Sequence, residues 1–423
     1  MAGLRQSLAR LKRLRLLFEE RLGAASRWQG TTPVQSVGRL RHISDFGTNP
    51  GNLQMHAYIP GGLASTPALV VALHGCTQNA NSFDRGTGWS TLADRLGFVV
   101  IYPEQQAANN PKNCFSWFLP NDTARDSGEA LSIRQMIETA VSKFGIDRSR
   151  IFVTGLSAGG AMASAMLATY PEVFAGGAVI AGLPYGSAAS VQEAFEAMFC
   201  ERAPSSRALG DQVRAASQHR GPWPKVSVWH GTADAVVKPS NADHTVKQWL
   251  NVQGLSELPS SEEHIGRHIR RCWNDSNGDV RVESFTVAGM QHGVPLAAGD
   301  ANNCGLAGPF FLEAGVSSTW HIAGFWGLNA AQAPLRTTQR ASESAPSTYL
   351  AHAHSAAQSA GTRPERSTHQ DADAHLNPNA VIAAAFQAAG LPLPTRGKRS
   401  GTWEVDPRGI IEAALKAAGL GKR

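Results

Sequence analysis

Three side chains suited to nucleophilic catalysis follow one another as serine, aspartate and histidine, each on a glycine-marked turn beyond an apolar run. The serine is the most specific signal. Gly155-Leu156-Ser157-Ala158-Gly159 comes directly after Arg150-Ile151-Phe152-Val153-Thr154 and opens into Gly160-Ala161-Met162-Ala163. A G-x-S-x-G string alone is common by chance. Between a strand and a small-residue helix it is a nucleophile elbow, a strained turn that lifts the Ser157 hydroxyl to a helix N-terminus where amide donors converge. Gly155 and Gly159 are required because a side chain two positions to either side would strike the neighbouring strand or helix.

An activated serine needs a base and a carboxylate that orients it. Asp234 lies on the loop leaving Val226-Ser227-Val228-Trp229-His230, introduced by Gly231, and is expected to be the acid. Its rivals fit less well: Asp211 precedes that strand and Asp243 falls in a following helix. His292 sits in Ala288-Gly289-Met290-Gln291-His292-Gly293, past the last strand, where an imidazole can reach back to the serine. His230 lies within a strand, His264 and His268 in a charged segment and His321 in the closing helix, so His292 is expected to be the base. Leu73-His74-Gly75-Cys76-Thr77-Gln78 follows an early strand. There the Cys76 amide is expected to form an oxyanion hole with the amide of Ala158, with Gly75 and His74 supporting the loop and His74 holding it by hydrogen bonds.

These pieces require a sheet whose strand ends share one edge. Apolar runs at Ala68–Leu73, Phe98–Tyr102, Ile151–Thr154, Ala178–Ala181, Val226–His230 and Ser284–Val287 alternate with helical stretches. One helix would bury Ile133, Met136, Ile137, Ala140, Val141 and Phe144 and stop at Gly145. Runs rich in β-branched residues alternating with helices imply an α/β domain: a mostly parallel sheet covered by helices on both faces, here the α/β-hydrolase fold. Its span is expected to be 44–328.

The flanks read differently. Residues 1–30 contain a helix in which leucines recur at three- and four-residue steps among arginines, a basic amphipathic helix. It is expected either to pack on the main domain or a partner helix, or to lie on an apolar surface. Residues 331–375 are rich in Ala, Ser, Gln, His and Thr without an apolar period, as expected of a flexible linker. Its His352, His354, His369 and His375 read as linker histidines rather than metal ligands. Residues 376–423 hold a short repeat at a 29-residue offset, Asn377-Pro378-Asn379 to Leu391 and Asp406-Pro407-Arg408 to Leu420. Each copy is a capped Ala-rich helix too short to form a core alone, so the tail is expected to dock on another surface.

Composition narrows the function classes. The chain has 423 residues, of which 42% are hydrophobic and 17% charged, enough apolar material for a large core. No apolar run is long enough for a membrane span. The net charge of +6 resides in the ends. Residues 1–22 carry six basic against two acidic groups and residues 395–423 seven against three, leaving the stretch between them at −2. A nucleic-acid groove through the main domain is therefore not expected. Five dispersed cysteines with no C-x-x-C pair suggest neither a disulfide scaffold nor zinc, and no cofactor or metal is implied.

Together, LHGCTQ (73–78), NCFSWF (113–118), GLSAGGAM (155–162), HGTADAVV (230–237), GMQHGVPL (289–296) and GPFFLEAGVSSTWHIAGFWGL (308–328) resemble polyhydroxybutyrate depolymerase-type esterases. That group is related to feruloyl and acetylxylan esterases. The resemblance covers about residues 44–328 and neither tail. It implies a triad of Ser157, Asp234 and His292, an oxyanion hole lined by His74–Cys76, and a polyester or small ester as substrate. The expected function is a serine esterase acting on short-chain polyhydroxyalkanoate or its oligomers. The alternatives are a feruloyl or acetylxylan esterase, or a non-catalytic surface-binding protein on the same fold. The N-terminal segment lacks a secretory cleavage pattern. A cytoplasmic, granule-associated location is therefore expected, with the extracellular location of secreted relatives as the alternative. Cys76 and Cys114 each lie in a matched motif and Cys272 and Cys304 bracket the His292 loop, so a disulfide at either pair is the alternative, with reduced thiols the default for such a location. Trp89, Trp117, Trp223 and Trp273 are expected to be core aromatics in preference to a polymer-binding face.

Overall fold

The computed structural model describes residues 2–25, 38–199, 204–299 and 302–329. The linker histidines, the C-terminal repeat and Cys200 lie outside the described residues. By contact, the chain divides into a unit of Leu11–Pro334, which carries the sheet, and a second unit of Met1–Arg10 with Leu335–Arg423.

Ten strands build the main sheet. They are β1 (Arg41–Ile43), β2 (Gln54–Tyr58), β3 (Leu69–Leu73), β4 (Val99–Glu104), β5 (Ile151–Leu156), β6 (Gly176–Ile180), β7 (Lys225–Gly231), β8 (Ser261–Ile265), β9 (His268–Asn274) and β10 (Val280–Val287). Their order is β1-β2-β4-β3-β5-β6-β7-β10-β9-β8. The six central strands, β4 to β10 in that order, run parallel, and antiparallel pairs close both edges. Two short strands, β11 (Val294–Leu296) and β12 (Phe311–Glu313), pair separately.

The helices are α1 (Ala2–Ala25), α2 (Ala80–Thr87), α3 (Trp89–Leu96), α4 (Pro120–Thr123), α5 (Gly128–Phe144), α6 (Ala158–Thr169), α7 (Val191–Phe199), α8 (Ser206–Ala216), α9 (Ser240–Gln253) and α10 (Ser318–Phe325). Alternation along the strands assigns them to two layers. Leu69, Val71 and Leu73 of β3 join a core with Ile133 and Met136 of α5, Met162 and Met166 of α6 and Trp249 of α9. Val70 and Ala72 join the opposite core with Phe83 of α2, Trp89 and Leu92 of α3 and Ile322 of α10. Because both faces are covered, β3 to β6 read as largely unbroken apolar runs, whereas β10 carries Arg281, Glu283 and Ser284 among its apolar residues. The architecture is the α/β-hydrolase fold.

The edge hairpin of β8 and β9 had no apolar period to betray it. It is built on charge pairs across the strands: Arg271 Nε meets Glu262 Oε2 at 2.7 Å and Arg270 Nη1 meets Glu263 Oε1 at 2.7 Å. The segment that looked merely charged is a pair of strands.

The C-terminal half of α1 packs on the body. Phe18 sets its edge on Phe195 of α7, with centroids 5.6 Å apart, and Leu22 is buried. Arg21 lies over the Phe199 ring and donates from Nη1 to the Ala235 carbonyl at 2.6 Å. No helix among the described residues is long and apolar enough to cross a membrane.

Candidate active site

Ser157 stands between β5 and α6 with φ 57° and ψ −116°, outside the regions ordinary residues favour. The surrounding backbone enforces this turn. A Cβ on Gly155 would come 2.3 Å from the Gly159 carbonyl oxygen, and one on Gly159 would come 2.2 Å from that of Leu73. Both contacts are to main chain, which cannot swing aside, so glycine is obligatory at both positions. The Ser157 amide donates to Ile180 O at 2.9 Å, tying the elbow to the end of β6. Ala158 opens the twelve-residue α6, so its amide has no acceptor within the helix and forms part of the positive end of the helix dipole.

Asp234 follows β7 and His292 follows β10, two neighbouring parallel strands, so both arrive at the sheet edge that carries the elbow. His292 Nδ1–H donates to Asp234 Oδ2 at 2.7 Å, with the residues 2% and 4% exposed. Asp234 Oδ1 accepts from the amides of Val236 and Val237 at 2.8 and 2.9 Å. Burial alone would raise the Asp234 pKa. The His292 and His230 rings override it and hold the carboxyl well below the usual carboxylate range. The two loops are stitched together where the Ala233 amide donates to Met290 O at 3.0 Å.

The loop after β3 forms the opposite side. Gly75 N–H donates to Gln78 Oε1 at 2.8 Å, Thr77 N–H to Lys112 O at 2.6 Å and Gln78 N–H to Gly75 O at 3.3 Å. Among the described residues the Cys76 amide has no such partner. His74 is 1% exposed, and its Nε2 accepts from the Gln105 amide at 3.0 Å. Its proton therefore resides on Nδ1, which donates to Gly75 O at 2.8 Å. Burial pushes the His74 pKa down, in keeping with a neutral strut.

Two further features shape this region. Cys76 and Cys114 form a disulfide, correcting the expectation of reduced thiols throughout, while Cys272 and Cys304 are free and buried. Cys272 belongs to β9 and Cys304 to the loop beside Gly88, and both are buried. The second feature is His230, whose Nε2 lies 3.2 Å from Asp234 Oδ2 and 3.0 Å from Val237 O. Its place within β7 counts against a catalytic role, yet the i, i+4 spacing to Asp234 across Gly231 is the clue the sequence offers. The rejected candidates lie elsewhere: Asp211 in α8, Asp243 in α9, His264 in β8, His268 in β9 and His321 in α10. Of the tryptophans, Trp89 and Trp273 are buried, whereas Trp117 and Trp223 are partly buried and pack against the cores.

A serine on a strained elbow at a helix N-terminus, with a buried Asp–His pair on loops that leave the same edge of a doubly covered parallel sheet, fits the α/β-hydrolase class of ester hydrolases. Comparison with known proteins narrows this further. The family model described as esterase PHB depolymerase matches residues 53–274, just over half of the chain. Poly(3-hydroxyalkanoate) depolymerase C of Paucimonas lemoignei is 45% identical over 295 residues, covering 69% of this chain and 71% of that protein. Feruloyl esterase B of Talaromyces stipitatus is 33% identical over 274 residues, covering 62% and 74%. Among solved structures, an acetyl xylan esterase from Aspergillus awamori matches with a TM-score of 0.59 at 26% identity, over 69% of this chain and all of that one. The chain belongs to the esterase PHB depolymerase family and is a serine ester hydrolase.

Proposed function

We propose that Ser157, His292 and Asp234 act as a catalytic triad hydrolysing the ester bonds of a short-chain polyhydroxyalkanoate or its oligomers. The observation that carries this reading is the buried Asp234–His292 hydrogen bond of 2.7 Å on the sheet edge where Ser157 occupies its glycine-enforced elbow. His292 Nε2 takes the Ser157 proton as Oγ bonds to the ester carbonyl carbon, and Asp234 stabilises the resulting imidazolium. The tetrahedral oxyanion accepts from the Cys76 and Ala158 amides. The carbon–alkoxide bond then breaks, His292 returns the proton to the departing alkoxide, and a water activated by the same imidazole releases the acid from Ser157.

Polyester is favoured over a feruloyl or acetylxylan ester by the 45% identity to a poly(3-hydroxyalkanoate) depolymerase, against 33% for the feruloyl esterase. The test compares kcat/KM for 3-hydroxybutyrate oligomers and for methyl ferulate and acetylated xylan in the same preparation. A preference for the oligomers of tenfold or more supports the reading, and a preference for either carbohydrate-linked ester transfers the function to the alternative.

Attachment to a polyester granule or another apolar surface belongs to this proposal, with α1 as the attaching element. Its basic amphipathic sequence and Leu16, 56% exposed, support it. The Cys76–Cys114 disulfide favours an oxidising compartment, so the extracellular alternative has a specific observation on its side and action on polymer outside the cytoplasm is the second reading.

A further inference from the structure

Glu129, in the first turn of α5, is 2% exposed and is no part of the triad. Its polar partners are all uncharged. Oε1 accepts from Gln105 Nε2 at 2.5 Å and Oε2 accepts from the Ser116 amide at 2.8 Å. Burial, reinforced by Asp122, raises its pKa to about 8. A buried carboxyl without a cation destabilises a fold relative to an apolar residue of the same size, so its presence calls for a role.

Its two hydrogen bonds lead to the two supports of the Cys76 amide. Along the first, Gln105 Nε2 also reaches Cys114 O at 3.2 Å, and the Gln105 amide donates to His74, whose other nitrogen fixes Gly75 O. Along the second, Ser116 belongs to the segment that carries Cys114, which is covalently joined to Cys76, and Lys112 O, which accepts from Thr77 N–H. The residues before and after Cys76 are thus both tied to one carboxyl. Thr77 between these ties has φ 65°, a conformation that a threonine keeps only when its surroundings impose it.

We propose that Glu129 is a positioning residue that, through Gln105–His74 on one side and the disulfide-bearing 112–116 segment on the other, aims the Cys76 amide at the oxyanion. The inference rests on the reading of Cys76 as an oxyanion donor. Glutamine at position 129 fits the space; its oxygen stays with the fixed Ser116 amide, so its NH₂ faces the Gln105 NH₂ and the tie to Gln105, the one that Gln105→Ala also removes, is lost.

The test measures kcat and KM for p-nitrophenyl acetate, with thermal unfolding, in Glu129→Gln, Gln105→Ala and the double variant. Tenfold to a hundredfold loss of kcat is expected with KM within about twofold, the scale on which a displaced donor costs turnover. The double variant should lose no more than the worse single one, because both substitutions cut the same brace. A lowered unfolding temperature with unchanged kcat, or losses that multiply in the double variant, overturns the proposal. Gln105→Ala decides alone if Glu129→Gln does not fold. Fluorophosphonate labelling of wild-type Ser157 separates the two readings. Failure to label removes the esterase mechanism, whereas labelling with an undiminished Glu129→Gln kcat removes only the brace.

Discussion

Every oxygen lone pair that Asp234 can offer has a nearby donor: two backbone amides on one oxygen, and His292 with His230 close by on the other. This crowding keeps the carboxyl ionised despite its burial and fixes the rotamer that holds the His292 ring. Asp234→Asn preserves the shape but can place an NH₂ against His292 Nδ1, favouring the wrong tautomer of the ring. A fall in kcat of about 10⁴-fold on a soluble ester is expected, with the fold retained by circular dichroism. A fall of less than tenfold would assign the orienting role elsewhere. Glycine turns after apolar runs made Ser157, Asp234 and His292 conspicuous in the sequence. His230 and Glu129 were not, because their roles depend on which side chains tertiary packing brings against them. Nothing in the local pattern around Glu129 tells a buried carboxyl from an exposed one in the first turn of a helix.

The elements divide by how they are stabilised. β3 to β7 are sandwiched between helices and declare themselves through apolar runs, as α5 does through its buried stripe and its stop at Gly145, whose φ is 65°. The β8–β9 hairpin and the short β1 present charged or exposed residues, so their strand character comes from pairing with neighbours and not from hydrophobicity. The disulfide belongs to this scale because it joins the loop after β3 to the segment after β4 across 38 residues. Substituting both Cys76 and Cys114 by serine should lower stability by about 2–4 kcal/mol in denaturant titration. Turnover should fall as well, since the oxyanion loop loses its covalent tie. Unchanged kcat in the folded double variant would mean that hydrogen bonds alone hold the loop. Both cysteines lie in matched motifs, and the default of reduced thiols failed because it rested on the expected cytoplasmic location, which says nothing of how close the two segments come.

At the scale of the molecule, α1 combines two demands. Phe18, Arg21 and Leu22 dock beside the acid loop, while Leu16 faces solvent. If α1 attaches the enzyme to polyester, a protein lacking residues 1–25 should leave sedimented polyhydroxybutyrate granules for the supernatant and keep its kcat/KM on a soluble ester within about threefold. Cosedimentation equal to that of the full chain would remove α1 from that role. The Ser157–His292 chemistry is tested most directly by stoichiometric labelling of the full-length protein with a fluorophosphonate, located by peptide mass spectrometry, alongside His292→Ala. One label per chain is expected, on Ser157, with labelling slowed by at least a hundredfold in the variant. A label on another residue, or a rate indifferent to the loss of His292, would contradict that chemistry.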